Sequence, residues 1–210
     1  MKNGQEKGTI LMITGLLLIV AALFLTLFNI YDSKRAGQES EQVVGQIIGK
    51  IEQAQQEKQE QSEAGVDVTP DYELDSAIEM PSVKVEEFRY IGLLEIPALN
   101  RQLPIMAECT DRGLRKAPCC YTGSVYEDSM VIAGHNYLSH FAGLRGLPLG
   151  SEVYFTDMEG NIFQYTIEWI EVLQPDQIEE MTSGDWDLTL FTCTYGGQTR
   201  HAIRCLRVRE

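Results

Sequence analysis

The sequence predicts a mainly β protein: a closed or nearly closed antiparallel β-barrel with short helices, held behind an N-terminal transmembrane helix and a stalk. Three observations carry this reading. Residues 9–30, TILMITGLLLIVAALFLTLFNI, contain no charged side chain. Residues 31–85 are acidic and rich in Gln and Glu. From about Arg89 the chain breaks into short β-branched and aromatic runs separated by turn residues, the spacing of an all-β domain.

Residues 1–8 form a short polar tail. The apolar run 9–30 that follows is long enough, at about 1.5 Å per residue, to cross a hydrocarbon core of roughly 30 Å. It exceeds the roughly 7–15 apolar residues of a cleaved signal peptide, and no small-x-small cleavage pattern follows promptly. Lys2 and Lys7 before it nearly balance Lys34 and Arg35 after it. Orientation therefore rests on the short leading tail and long following chain, which predict N-in, C-out.

In residues 31–85, Val44, Ile47, Ile48 and Ile51 recur at helical spacing and predict a short amphipathic helix. Gly45 and Gly49 weaken it, and beyond Ala54 the apolar face disappears, so the segment reads as a solvated stalk. VDVTPDYELDSAIEMPSVKVEEF continues as an acidic linker punctuated by proline.

Residues 86–210 hold the predicted barrel. Its strands are YIGLLEIPAL, QLPIMAE, SMVIAGH, EVYFTD, NIFQYTIEWIEVL, LTLFTC and RHAIRCLRVR, with DMEGN as a hairpin connection. LSHFAGLRGL and PDQIEEM are at most short helices. About 120 residues suffice for one core. The formal charge of −14 excludes a nucleic-acid partner, because no basic patch is present to neutralise phosphates. The final strand is nonetheless basic, with Arg200, Arg204, Arg207 and Arg209.

Chemistry concentrates at strand ends. Cys193 closes an apolar run before a glycine-containing turn, and Arg200 opens the next strand. A thiol is nucleophilic as thiolate, which nearby positive charge favours. Acyl transfer to an amine also needs a proton donor that titrates near neutral pH. The chain has three histidines. His135 follows the apolar run ending at Gly134, His140 lies in an apparent surface turn, and His201 points by strand alternation away from the face of Arg200. By residue type alone, a strand cysteine is more often a packed small hydrophobe than a nucleophile.

TLFTC (Thr189–Cys193) matches the Thr-Leu-x-Thr-Cys signature of the sortases, membrane-anchored cysteine transpeptidases of Gram-positive bacteria. AGH followed by FAGLRGLPLGSEVYF resembles the stretch after the sortase histidine, and IGLLEIP with LPIM resembles the opening strands of that domain. The resemblance covers about residues 89–210, and the anchor and stalk fit the family's layout. It implies Cys193 as nucleophile, His135 as general acid/base and Arg200 as the arginine that opens the final strand. Arg204 is the alternative arginine, and Thr192 a possible contributor to the oxyanion site.

The resemblance further implies cleavage of a Leu-Pro-x-Thr-Gly-like signal at the C-terminus of secreted proteins. A thioester acyl-enzyme would pass to an amine of a peptidoglycan precursor or a pilin, on the extracellular face and without a cofactor. A thiol hydrolase using the same residues, and a non-enzymatic membrane-tethered binding domain, are the competing functions. No second apolar span follows the barrel, and the loop before LTLFTC is short. The first argues against the pilin-polymerising sortases and the second against the class with a long helical insertion there, which leaves a housekeeping-like or sporulation-type member.

Of the other cysteines, Cys109 could pair with Cys119 or Cys120, and Cys205 stands apart. No paired C-x-x-C spacing suggests zinc. Glu108, Asp111, Glu171, Glu179 and Glu180 read as solvated acids rather than calcium ligands.

Overall fold

The computed structural model describes residues 2–194 and 196–209. It has two units, Met1–Arg35 and Ala36–Glu210. Helix α1 (Lys2–Glu63) supplies the first unit and the start of the second. In the first unit Ile10, Leu17, Phe24 and Leu27 are exposed, and one segment among the described residues is long and apolar enough to cross a membrane.

In the second unit, eight strands close on themselves. They are β2 (Phe88–Ile96), β3 (Arg101–Met106), β4 (Cys119–Thr122), β5 (Met130–Gly134), β6 (Glu152–Asp157), β7 (Ile162–Leu173), β8 (Leu188–Cys193) and β9 (Arg200–Arg207). Their order around the barrel is β2-β3-β4-β5-β8-β9-β7-β6, and β6 pairs back onto β2. A short β1 (Val83–Val85) adds to the start of β2. The expected barrel is therefore present, but two of its joints, β3–β4 and β5–β8, are parallel. Parallel neighbours need long crossovers, and both connections carry other elements. Helix α3 (Asp111–Leu114) lies in the first; β6, β7 and α4 (Ile178–Thr182) lie in the second.

Strand alternation fills the interior. Leu94, Ile96, Ile105, Met130, Ile132, Phe155, Phe163, Leu188, Leu190 and Ile203 share one core. The β6–β7 hairpin is held by Asp157, which is buried. Its carboxylate accepts from the backbone N–H groups of Glu159 and Asn161 and from the Tyr126 hydroxyl, at 2.9, 2.9 and 2.8 Å.

The segment expected to be a solvated stalk is instead packed. Ile47 and Ile51 are buried against Val85, Tyr90, Met106, Ala117 and Cys119 on the outside of the barrel. Gln55 donates to the carbonyl of Gly160 at 3.1 Å, and Lys58 to the Asn161 side chain at 3.0 Å. The four apolar positions were legible, but their partners lie in strands far along the chain. A Cβ at Gly45 or Gly49 would touch nothing, so these glycines lie on the open side of the helix. Burying one such isoleucine contributes about 2–3 kcal/mol.

The acidic linker docks as well. Its short helix α2 (Asp71–Leu74) stacks Tyr72 on Tyr126 at 4.5 Å, and Ile78 and Met80 pack against the core. Cys109 and Cys119 form a disulfide across the β3–β4 connection, while Cys120, Cys193 and Cys205 remain thiols.

Candidate active site

Two registers bring the chemistry together. In the β8–β9 pair Cys193 stands directly opposite Arg200. In the parallel β5–β8 pair Ala133 lies beside Phe191 and Gly134 beside Thr192. His135 directly follows Gly134 and Cys193 directly follows Thr192, so both leave the same end of this parallel pair. Leu188 and Leu190 belong to the interior core, so Thr189, Phe191 and Cys193 face outward. Arg200, as the partner of Cys193, shares that outer face. His135, Cys193 and Arg200 are all half-buried.

The backbone under each residue is restrained. His135 accepts at its carbonyl from the Phe141 N–H at 3.2 Å. Phe141 presses on Gly134 so closely that a Cβ there would meet its ring at 2.4 Å. The loop after His135 thus closes only over a glycine. The β8–β9 turn is tied by Thr194 and Thr199, whose hydroxyls are 2.9 Å apart, and Gly196 and Gly197 supply positive φ. Arg200 donates from Nη1 to the carbonyls of Gly197 and Thr199, at 3.0 and 3.2 Å. Among the described residues it has no carboxylate partner, so its remaining donors are uncommitted.

Arg204 is placed differently. It is 2 % exposed and donates to Glu171 at 2.8 Å, to the Met181 carbonyl at 2.9 Å, to the Thr189 hydroxyl at 3.0 Å and to the Glu180 carbonyl. It pins α4 to the outside of the barrel and is two residues further along β9 than the partner of Phe191.

Two cavities flank the Cys193–Arg200 pair. On the outer face, one of about 170 Å³ is lined by Tyr121, Pro175, Ile178, Met181, Phe191 and Arg200. On the other side, at the barrel mouth, one of about 470 Å³ is lined by residues that include Asn136, Thr192 and His201. A third, of about 490 Å³, lies between the start of the packed helix and residues 97–103 and touches none of the three.

A model of the Sortase domain matches residues 94–208, more than half of the chain. The chain belongs to the sortase family. Sortase A of Bacillus anthracis is 24% identical over 195 residues, covering 90% of this chain and 89% of that protein. Among solved structures, Streptococcus agalactiae sortase C1 is 25% identical with a TM-score of 0.52, covering 78% of this chain and 89% of that one. Sortase C from Clostridium perfringens, at 23% identity and a TM-score of 0.51, shares the fold over 86% of this chain and 98% of its own.

Membership makes this a sortase-type cysteine transpeptidase with an N-terminal apolar helix. The other residues noted in the sequence fall into place around its barrel. His140, expected in a surface turn, is fully buried. Burial drives its pKa down to about 4; His135 and Arg101 push the same way, and the Lys116 backbone opposes them. That backbone lies outside hydrogen-bond geometry, so both ring nitrogens are unpaired. Tyr137 lies between the two imidazoles, with ring centroids 4.8 Å from His135 and 5.3 Å from His140. Thr192 is buried with its hydroxyl unpaired. His201, opposite Thr192 in register, faces the barrel mouth.

The acids weighed as calcium ligands are scattered. Glu108 pairs with Arg89 at 2.7 Å and Glu171 with Arg204. No group of three metal-ligating side chains occurs among the described residues. Sequence reasoning missed the outer wall of the site, Tyr121 on β4 and Ile178 and Met181 on α4. Their only signal was apolarity in segments too short to show a period.

Proposed function

We propose that this sortase joins exported proteins to an amine through Cys193, His135 and Arg200. The observation that carries it is the opposition of Cys193 and Arg200, with His135 one residue beyond the end of the strand that adjoins that of Cys193. The Cys193 thiolate attacks the threonine carbonyl of a Leu-Pro-x-Thr-Gly-like signal. A C–S bond forms, and the developing oxyanion accepts from the uncommitted donors of Arg200. As the C–N bond breaks, protonated His135 gives its proton to the departing amine. The incoming amine then attacks the thioester, its proton passes to His135, and the sulfur leaves as thiolate. The residues require no cofactor.

The apolar outer cavity, with Ile178, Met181 and Phe191, suits the leucine and proline of such a signal. The apolar helix of the first unit anchors the chain, with the catalytic unit on the extracellular face, where exported substrates and peptidoglycan or pilin amines are found. The test uses the full chain in detergent with a set of sorting-signal peptides and a primary amine, read by intact and digested mass. The expected result is an acyl adduct on Cys193 that the amine converts to a new amide and that Cys193→Ala abolishes. Release by water alone would make the protein a hydrolase. No adduct with any peptide, with Cys193 alkylating as slowly as a buried thiol, would end the enzymatic reading.

A further inference from the structure

The cavity at the barrel mouth differs in chemistry from the groove on the outer face. Its polar lining is Asn136, Arg145, Thr192, Thr194, Thr199 and His201. Asn136 follows His135, Thr192 and Thr194 flank Cys193, and Thr199 precedes Arg200, so the lining comes from the chain neighbours of every residue of the proposed chemistry. None of its described lining residues is acidic, in a chain with a formal charge of −14.

Three of these groups are unspent. Arg145, exposed on the turn Leu144–Gly146, makes no ion pair or hydrogen bond among the described residues. Thr192 is 3 % exposed, and its hydroxyl has no partner. A buried hydroxyl without a partner is costly and marks a place where a polar ligand atom would be favourable. His201 is held below its ordinary pKa by burial and then by the charge of Arg145. Near neutral pH it therefore offers a neutral imidazole, one nitrogen donating and the other accepting.

We propose that this cavity is the subsite for the incoming amine, and that Arg145, with His201 and Thr192, selects acceptors carrying a free carboxylate near that amine. The inference rests on the transpeptidase reading above. A bare amine gains nothing from a guanidinium, which repels its protonated form. An amino-acid or peptide acceptor sets its carboxylate on Arg145 while its amine reaches the thioester. The step balances as before: the C–N bond forms, the C–S bond breaks, and the amine proton goes to His135. The selectivity lies in binding and is read in the acceptor, not in the donor peptide.

The experiment uses the full chain in detergent with one donor peptide and two matched acceptor pairs. Glycylglycine against glycylglycinamide places the carboxylate as at a peptide terminus. Nα-acetyl-lysine against Nα-acetyl-lysinamide places it as in a diamino acid. The readout is the ratio of amide products within each pair, which cancels differences in acylation. The carboxylate member of at least one pair is expected to be preferred by about tenfold, the worth of one charge-assisted hydrogen bond. Arg145→Glu brings that ratio to one or below, while Lys84→Gln, which removes a charge from exposed Lys84 on β1, leaves it unchanged. Equal use of both members in each pair, or a preference that survives Arg145→Glu, overturns the proposal and leaves transpeptidation standing. A preference lost equally with Lys84→Gln reduces it to net charge and overturns it too. If no donor acylates Cys193, the parent reading falls and this one with it.

Discussion

Replacing Arg204 by methionine removes a guanidinium that is 2 % exposed and makes hydrogen bonds to Glu171, Met181, Thr189 and Glu180. The Glu171 side chain is 32 % exposed and can turn to water, so its loss is small. The two α4 carbonyls and the Thr189 hydroxyl lose a donor inside the protein, at roughly 1–3 kcal/mol each before relaxation. Relaxation and non-additivity bring the sum to roughly 3–5 kcal/mol, the usual cost of removing one partner from a buried ion pair. For a unit of this size that lowers Tm by roughly 10 °C.

Because α4 walls the outer cavity, the donor-peptide KM should rise while the maximal acylation rate falls little. Arg200→Lys is the contrasting change. It keeps Tm within about 2 °C, since among the described residues Arg200 bonds to turn carbonyls alone, but costs on the order of a hundredfold in acylation. Thermal melts and single-turnover acylation of both variants decide the matter. If Arg204→Met melts with the wild type, or loses acylation while Arg200→Lys keeps it, the division into a framework and a reacting arginine is wrong.

Ile47→Ala should cost about 2–4 kcal/mol by chemical denaturation, because Ile47 is fully buried against the barrel; a solvated stalk would lose almost nothing. Gly134→Ala should lower acylation at least tenfold and Tm by several degrees, since the added Cβ meets the buried Phe141 ring under His135; unchanged acylation would show that the loop has room to adjust. His140 has a folded pKa of about 4 against an ordinary 6.5, so the unfolded chain binds the extra proton between these values. Its stability contribution is complete above about pH 6.5 and is lost as pH falls toward 4, by roughly 3 kcal/mol in all. Denaturation midpoints across this range should show the slope, and His140→Leu should flatten it.

The strand that ends at Cys193 was the most legible part of the chain. TLFTC, the two glycines and Arg200 are close in sequence, so local pattern and a two-strand register were enough to align Cys193 with Arg200. His135 was legible as a strand end, but not that its strand adjoins that of Cys193, because the parallel β5–β8 joint spans an intervening hairpin and helix. The roles of Arg200 and Arg204 look alike in sequence, four residues apart on one strand. They separate only when α4 folds back over Arg204 and leaves Arg200 at the open end.

What the sequence alone determined is whatever follows from local period and composition. It set the uncharged run 9–30, the alternating strands, the DMEGN hairpin, and a cysteine, a histidine and an arginine at strand ends. Tertiary structure decided what depends on partners distant in the chain. It packed Ile47 and Ile51 onto the barrel, chose Cys119 over Cys120 for Cys109, buried His140 beneath a loop read as surface, and opened two unlike cavities on either side of Cys193. The physical reason is common to all four. Burial and pairing are properties of surfaces that meet only when the barrel closes, and no window of sequence holds both sides of such a contact.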